Sequence, residues 1–77
     1  MKDLARSTVF YLFLNPQDGR YWFHDYGLHC GECFEALIDD TWVHTRIEHS
    51  NSSTHSKGWY LVTHPEQPLR NLPVRRS

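Results

Sequence analysis

Two cysteines in 77 residues leave no material for the several disulfides that hold small secreted domains together. The longest apolar run is Val9 to Leu14. It falls far below the roughly 18 residues of a bilayer-crossing helix and below the apolar stretch of about 7 or more in a secretory signal. A cytoplasmic location without membrane association is therefore expected, with both cysteines kept as thiols. Charge of one sign is scarce as well: eight Lys and Arg stand against nine Asp and Glu, for a net charge of -1. That balance argues against a surface that neutralises many phosphates at once. At this length only about 60% of the unfolded chain's surface becomes buried, so neither a deep substrate pocket nor an enzyme is expected. Residues 1–77 are read as a single domain without internal repeats.

Strand formers are what the chain has in excess: four Phe, three Trp and four Tyr, together with Val, Ile and Thr, in short runs divided by Gly, Pro, Asn, Asp and Ser. The first run, Thr8 to Leu14, meets Arg20 to His24 across Asn15-Pro16-Gln17-Asp18-Gly19, whose proline and glycine suit a turn. Residues 26–32 read as an irregular connection bent at Gly27 and Gly31. Cys33 to Glu48 alternates about Asp39-Asp40 in the manner of a tight hairpin. Pairing Ile38 with Thr41 sets Ala36 opposite Val43, Phe34 opposite Thr45 and Glu32 opposite Ile47. This register gathers Phe34, Ala36, Ile38, Val43 and Ile47 on one core face. A slip of one residue would bury Glu35 and Arg46. Asp-Asp is a poorer two-residue turn than Asp-Gly, so a longer loop is the alternative there.

His49 to Lys57, HSNSSTHSK, has no aliphatic or aromatic residue and is expected to be an exposed polar loop over residues 49–57. It contains Asn51-Ser52-Ser53, a glycosylation pattern relevant only to a secreted protein. The strand pattern resumes at Gly58 to Val62. Residues 65–77 form a Pro-rich closing segment in which Pro65, Pro68 and Pro73 argue against a central strand, leaving a turn over Leu69 to Leu72 and a short edge strand near Val74. The sum is an all-β fold: a small SH3-like, partly open barrel of about five antiparallel strands with no long helix. Phe10, Phe13, Trp22, Phe23, Phe34, Trp59 and Tyr60 are assigned to its core.

The hairpin register turns a second set of residues outward: Leu37 beside Trp42, Glu35 beside His44, and Cys33 beside Arg46. Tryptophan is enriched among interface hot spots, which makes this the candidate partner-binding face; the competing reading packs Trp42 beneath the loop or the C-terminal tail. Arg70, Arg75 and Arg76 form a basic tail able to meet a phosphate or a carboxylate. His29-Cys30-Gly31-Glu32-Cys33 is half of a zinc signature: Cys30 and Cys33 supply two ligands, with His24 and His29 as the nearest others, but no second Cys or His pair completes a standard pattern. The plainer reading leaves Cys30 in the bend and Cys33 as an ordinary strand residue, with no cofactor.

Leu28-His29-Cys30-Gly31-Glu32-Cys33-Phe34-Glu35, Thr45-Arg46-Ile47-Glu48 and Gly58-Trp59-Tyr60-Leu61, taken at their joint spacing, resemble a domain-of-unknown-function family of short proteins carried on mobile elements of Gram-positive gut bacteria. The resemblance covers roughly residues 20–75. It implies an accessory protein of a phage, plasmid or conjugative element and supplies no catalytic residues. The expected function is a non-enzymatic protein-binding module, with a host defence effector such as CRISPR among the expected targets. The alternatives are a nucleic-acid-binding accessory factor using the arginines and a small zinc-stabilised module.

Overall fold

The structure, a computed structural model, describes residues 8–24, 26–50 and 58–76. Among the described residues eight strands follow one another: β1 (Phe10–Tyr11), β2 (Phe13–Asn15), β3 (Arg20–Phe23), β4 (Tyr26–Gly27), β5 (Cys33–Ile38), β6 (Thr41–His49), β7 (Trp59–Leu61) and β8 (Pro73–Arg75). They build an antiparallel five-stranded sheet in the order β1-β8-β5-β6-β7 and an antiparallel three-stranded sheet in the order β2-β3-β4. Among the described residues no helix is long and apolar enough to cross a membrane. The fold is all-β and partly open, with more and shorter strands than the expected five and without closure into a barrel.

The β5–β6 hairpin has the register that its alternation requires, with Ile38 opposite Thr41, Ala36 opposite Val43 and Phe34 opposite Thr45. Asp39 and Asp40 stand at φ 52° and 63°, the left-handed backbone that a two-residue hairpin turn imposes at both central positions. Phe34, Ala36, Ile38 and Ile47 are buried, and Val43 packs half-buried against them. Thr45 also takes a core position, where its hydroxyl accepts a hydrogen bond from Thr63 Oγ1 at 2.8 Å. Before β5, Glu32 N–H donates to His29 O at 3.2 Å, closing a turn with Gly31 at φ 90°. Gly31 N–H donates to Ile47 O at 2.8 Å, and Ile47 N–H donates to Glu32 O at 3.0 Å. Two residues thus oppose one, a bulge whose first position needs the positive φ that glycine supplies.

Four local expectations are corrected. The run Thr8 to Leu14 is not one strand. It breaks at Leu12, because β1 pairs with β8 (Phe10 opposite Val74) whereas β2 pairs with β3 (Phe13 opposite Trp22) in the other sheet. Leu12, fully buried, donates its N–H to Leu72 O at 3.0 Å and accepts from Asn71 N–H at 2.8 Å. The segment near Val74 is not an edge strand, since β8 lies between β1 and β5. Pro73 is tolerated as its first residue because pairing with β5 begins only at Val74. The expected turn over Leu69 to Leu72 does form, with Leu72 N–H on Leu69 O at 3.0 Å. Tyr26–Gly27, read as irregular, is a short strand against β3. Gly27 allows the Trp22 indole to lie across it, where an added Cβ would come within 2.9 Å of the ring. Of the loop expected over residues 49–57, His49 instead ends β6 opposite Trp59, and residues 51–57 with their glycosylation pattern lie outside the described residues.

Phe23, Phe34 and Trp59 are core residues as expected, with Phe10 packed at the margin, and Trp22 and Tyr60 are half-buried. Phe13 is corrected: at 44% exposure it faces outward. Tyr11 and Phe13 point away from the core on either side of inward Leu12, and the Phe13 ring meets Trp22 at 6.4 Å. The space is filled by Leu12, Leu28, Leu69, Leu72 and Tyr21. Phe10 stacks on Phe23 at 5.4 Å, and Phe23 meets the edge of Phe34 at 6.2 Å, so one aromatic row ties the two sheets together. Trp59 Nε1 donates to Gly19 O at 2.8 Å, fastening the β2–β3 turn to β7.

Truncation at the crossing tests this account. Leu12→Ala is expected to lower the unfolding free energy by about 2–5 kcal/mol in urea titrations, the range for a fully buried leucine. Asp40→Gly, which relieves a positive φ, is expected to raise it by about 0.5 kcal/mol in the same measurement.

Candidate functional site

On the outward face of the hairpin, β5 and β6 set Leu37 opposite Trp42, Glu35 opposite His44 and Cys33 opposite Arg46, the arrangement expected from the alternation. Leu37, Glu35 and Trp42 are half-buried, and His44, Arg46 and Cys33 are exposed. Arg46 Nε contacts Glu48 Oε2 at 2.9 Å on the same face of β6. Because β8 runs along the other side of β5 with Glu35 opposite Arg75, the C-terminal strand adds a residue that the hairpin alone does not reveal. Arg75 Nε donates to Glu35 Oε1 at 2.6 Å, and its guanidinium lies 4.1 Å from the centre of the Trp42 ring. A carboxylate on one side and an aromatic face on the other fix this guanidinium, and a planar cation makes both contacts well. The two readings of Trp42 therefore meet: the C-terminal strand reaches over the ring, yet the ring stays half-exposed.

The basic tail is dispersed rather than assembled. Arg75 is committed to Glu35 and Trp42, Arg70 is exposed at the turn before β8, and Arg76 reaches a separate cleft with Tyr26, Glu32 and Cys33. The proposed zinc ligands are not drawn together either. Cys30 and Cys33 are free, exposed thiols, His29 is exposed, and His24 sets its ring against Phe10 at 5.0 Å. Among the described residues no group of three or more His, Cys, Asp or Glu side chains is placed to hold a metal ion.

The reading of the sequence missed Arg75 as a member of the Trp42 face and missed the cleft altogether. Glu35 and Arg75 are 40 positions apart, and only the placement of β8 beside β5 joins them. In the cleft the Tyr26 hydroxyl donates to Glu32 Oε2. That bond holds the phenol pKa above its ordinary value; loss of hydration and the Glu32 charge push the same way, and Arg76 opposes them. Since the raised pKa favours the neutral donor, the hydrogen bond is fully present below the ordinary phenol value of about 10 and is lost as pH rises through the raised one. A carbon-13 NMR titration of the Tyr26 Cζ resonance is expected to give a midpoint above about 10 that falls in Glu32→Ala. An unchanged midpoint in that variant would show that Glu32 does not hold the phenol.

The family model for a domain of unknown function (DUF5348) matches residues 10–76. The chain is also similar to a protein from Ruminococcus gnavus, a gut bacterium, whose crystal structure superposes with a TM-score of 0.69 at 37% sequence identity, covering 88% of this chain and 99% of that one. No curated protein matches the chain. The match runs from the first residue of β1 to the residue after β8 and spans Cys30-Gly31-Glu32, Thr45-Arg46-Ile47-Glu48 and Gly58-Trp59-Tyr60-Leu61: the protein belongs to the DUF5348 family of domains of unknown function.

Proposed function

We propose that the protein is a non-enzymatic protein-binding module acting in the cytoplasm, and that it binds through the outward face of β5, β6 and β8. The observation that carries this reading is the Glu35–Arg75–Trp42 cluster, in which a half-exposed tryptophan is held under an arginine that is itself anchored 2.6 Å from a carboxylate. Trp and Arg are the residue types over-represented at interface hot spots, and side chains held in place before binding lose less freedom when a partner arrives. Leu37 opposite Trp42 enlarges the apolar centre, while His44, Arg46 and Glu48 supply a polar rim. Binding of this kind suits an accessory protein of a phage, plasmid or conjugative element whose target is a host defence effector, such as a CRISPR effector, or the element's own transfer machinery. The sequence resemblance to short mobile-element proteins is the support for that setting.

The nucleic-acid alternative is less well supported, since Arg75 is neutralised by Glu35 and Arg76 lines a separate cleft. Affinity capture from nuclease-treated bacterial lysate containing candidate effectors separates the two. A stoichiometric protein partner is expected, with Trp42→Ala weakening its binding by about 30-fold or more, the effect of a hot-spot residue. Because Trp42 is only half-buried, the variant is expected to stay folded and to unfold cooperatively. Retention of no protein after nuclease treatment, with nucleic acid recovered from untreated lysate and an affinity that falls steeply with salt, would replace this reading by the alternative.

A further inference from the structure

A cleft of about 320 Å³ opens where β3, β4, the start of β5 and the residue after β8 converge. Its floor is apolar, formed by Phe23 and Leu28, both buried. Its walls are charged and of opposite sign. Glu32 supplies the negative charge, with the Tyr26 hydroxyl bonded to it. Arg76 is exposed on the lining and makes no hydrogen bond or ion pair among the described residues. The exposed thiol of Cys33 lines the same cleft, folded back so that Sγ is 3.8 Å from Gly31 O. Cys30 is equally free and exposed but does not line the cleft.

A ligand bearing only a carboxylate would meet Arg76 but face the Glu32 charge, and one bearing only an ammonium would meet Glu32 but face Arg76. A small zwitterion satisfies both walls, with its aliphatic portion over Phe23 and Leu28. The thiol gives such a molecule something to react with. We propose that the cleft is a thiol-modification site: it admits a small disulfide carrying carboxylate and ammonium groups, of the cystine type, which exchanges with Cys33 to leave a mixed disulfide.

The exchange needs no further oxidant. Cys33 gives up its proton and its thiolate attacks one sulfur of the bound disulfide. The bond between the two reagent sulfurs breaks as the bond to Cys33 Sγ forms, and the departing half leaves as a thiolate that takes up a proton, so one thiol and one disulfide yield one thiol and one disulfide. Cys33, Glu35 and Leu37 alternate onto the same side of β5, so the added zwitterion sits at the start of the row that carries the Glu35–Arg75–Trp42 cluster. The site itself does not depend on that cluster's binding a protein.

Cys30 serves as the internal control. Modification rates are measured by intact-mass spectrometry on Cys30→Ser, which reports Cys33, and on Cys33→Ser, which reports Cys30, using cystine and the uncharged bis(2-hydroxyethyl) disulfide. The expected result is a cystine-to-uncharged rate ratio about tenfold higher at Cys33 than at Cys30, the size of effect one charge-assisted contact gives. Adding Arg76→Gln to Cys30→Ser is expected to bring the Cys33 ratio down to that of Cys30 without slowing the uncharged reagent. Equal ratios at the two cysteines, or a Cys33 ratio unaffected by Arg76→Gln, would overturn the proposal. The readout involves no protein partner, so its failure leaves the Trp42 face untouched, and failure of partner capture leaves the cleft untouched.

Discussion

The reach of Arg75 onto the outward face of the hairpin depends on the chain crossing from one sheet to the other at Leu12. A continuous strand over Thr8 to Leu14 could pair with either neighbour, but the two backbone bonds between Leu12 and the Asn71–Leu72 segment bind the crossing point to the turn that launches β8. Those bonds satisfy polar groups that would otherwise be buried beside a fully enclosed leucine, where an unmade hydrogen bond is expensive. With the turn fixed there, β8 is directed between β1 and β5, and its residues take the register that sets Arg75 opposite Glu35. The Trp42 cluster is thus a distant consequence of where a single leucine sits.

The β5–β6 hairpin could be read from the sequence because all its information is local. Six alternating residues, a two-residue turn and a return strand admit one register that buries Phe34, Ala36 and Ile38 together while leaving Glu35 in reach of water. The reading failed where pairing is decided at long range. Nothing in Val9 to Leu14 marks Leu12 as a break, since an unbroken apolar run suits a strand buried on both sides as well as two short strands in different sheets. Pro73 was a misleading signal for the same reason. A proline excludes only the ladder bond that its own nitrogen would have made, and pairing with β5 starts one residue later.

Charge counted along the chain misled in a related way. Arg70, Arg75 and Arg76 look like one basic patch when read in order, yet β8 sends Arg75 over its own sheet, while Arg76 is exposed at a cleft where the two sheets meet. Successive strand residues face opposite sides, so neighbours in sequence become members of different sites. The half zinc signature is dispersed by the same local geometry. The bulge at Gly31 lets the chain turn sharply between Cys30 and Cys33, and only Cys33 reaches the charged cleft.

Strand β5 connects the two sites. Its inward residues are fixed by core packing, which leaves the outward row Cys33, Glu35 and Leu37 free to carry chemistry while the backbone beneath stays in place. Glu35 occupies the middle of that row and is already satisfied by Arg75, so a charge added at Cys33 acts on a side chain whose partner is held on its far side by the Trp42 ring. A negative group there competes for Arg75 and a positive group competes for Glu35, whereas a zwitterion that keeps its own charges on Arg76 and Glu32 leaves the pair intact. Whether modification reaches the Trp42 face is therefore decided by the charge of what is attached at Cys33, and the charges of Arg76 and Glu32 at the cleft favour the kind of group that leaves that face unchanged.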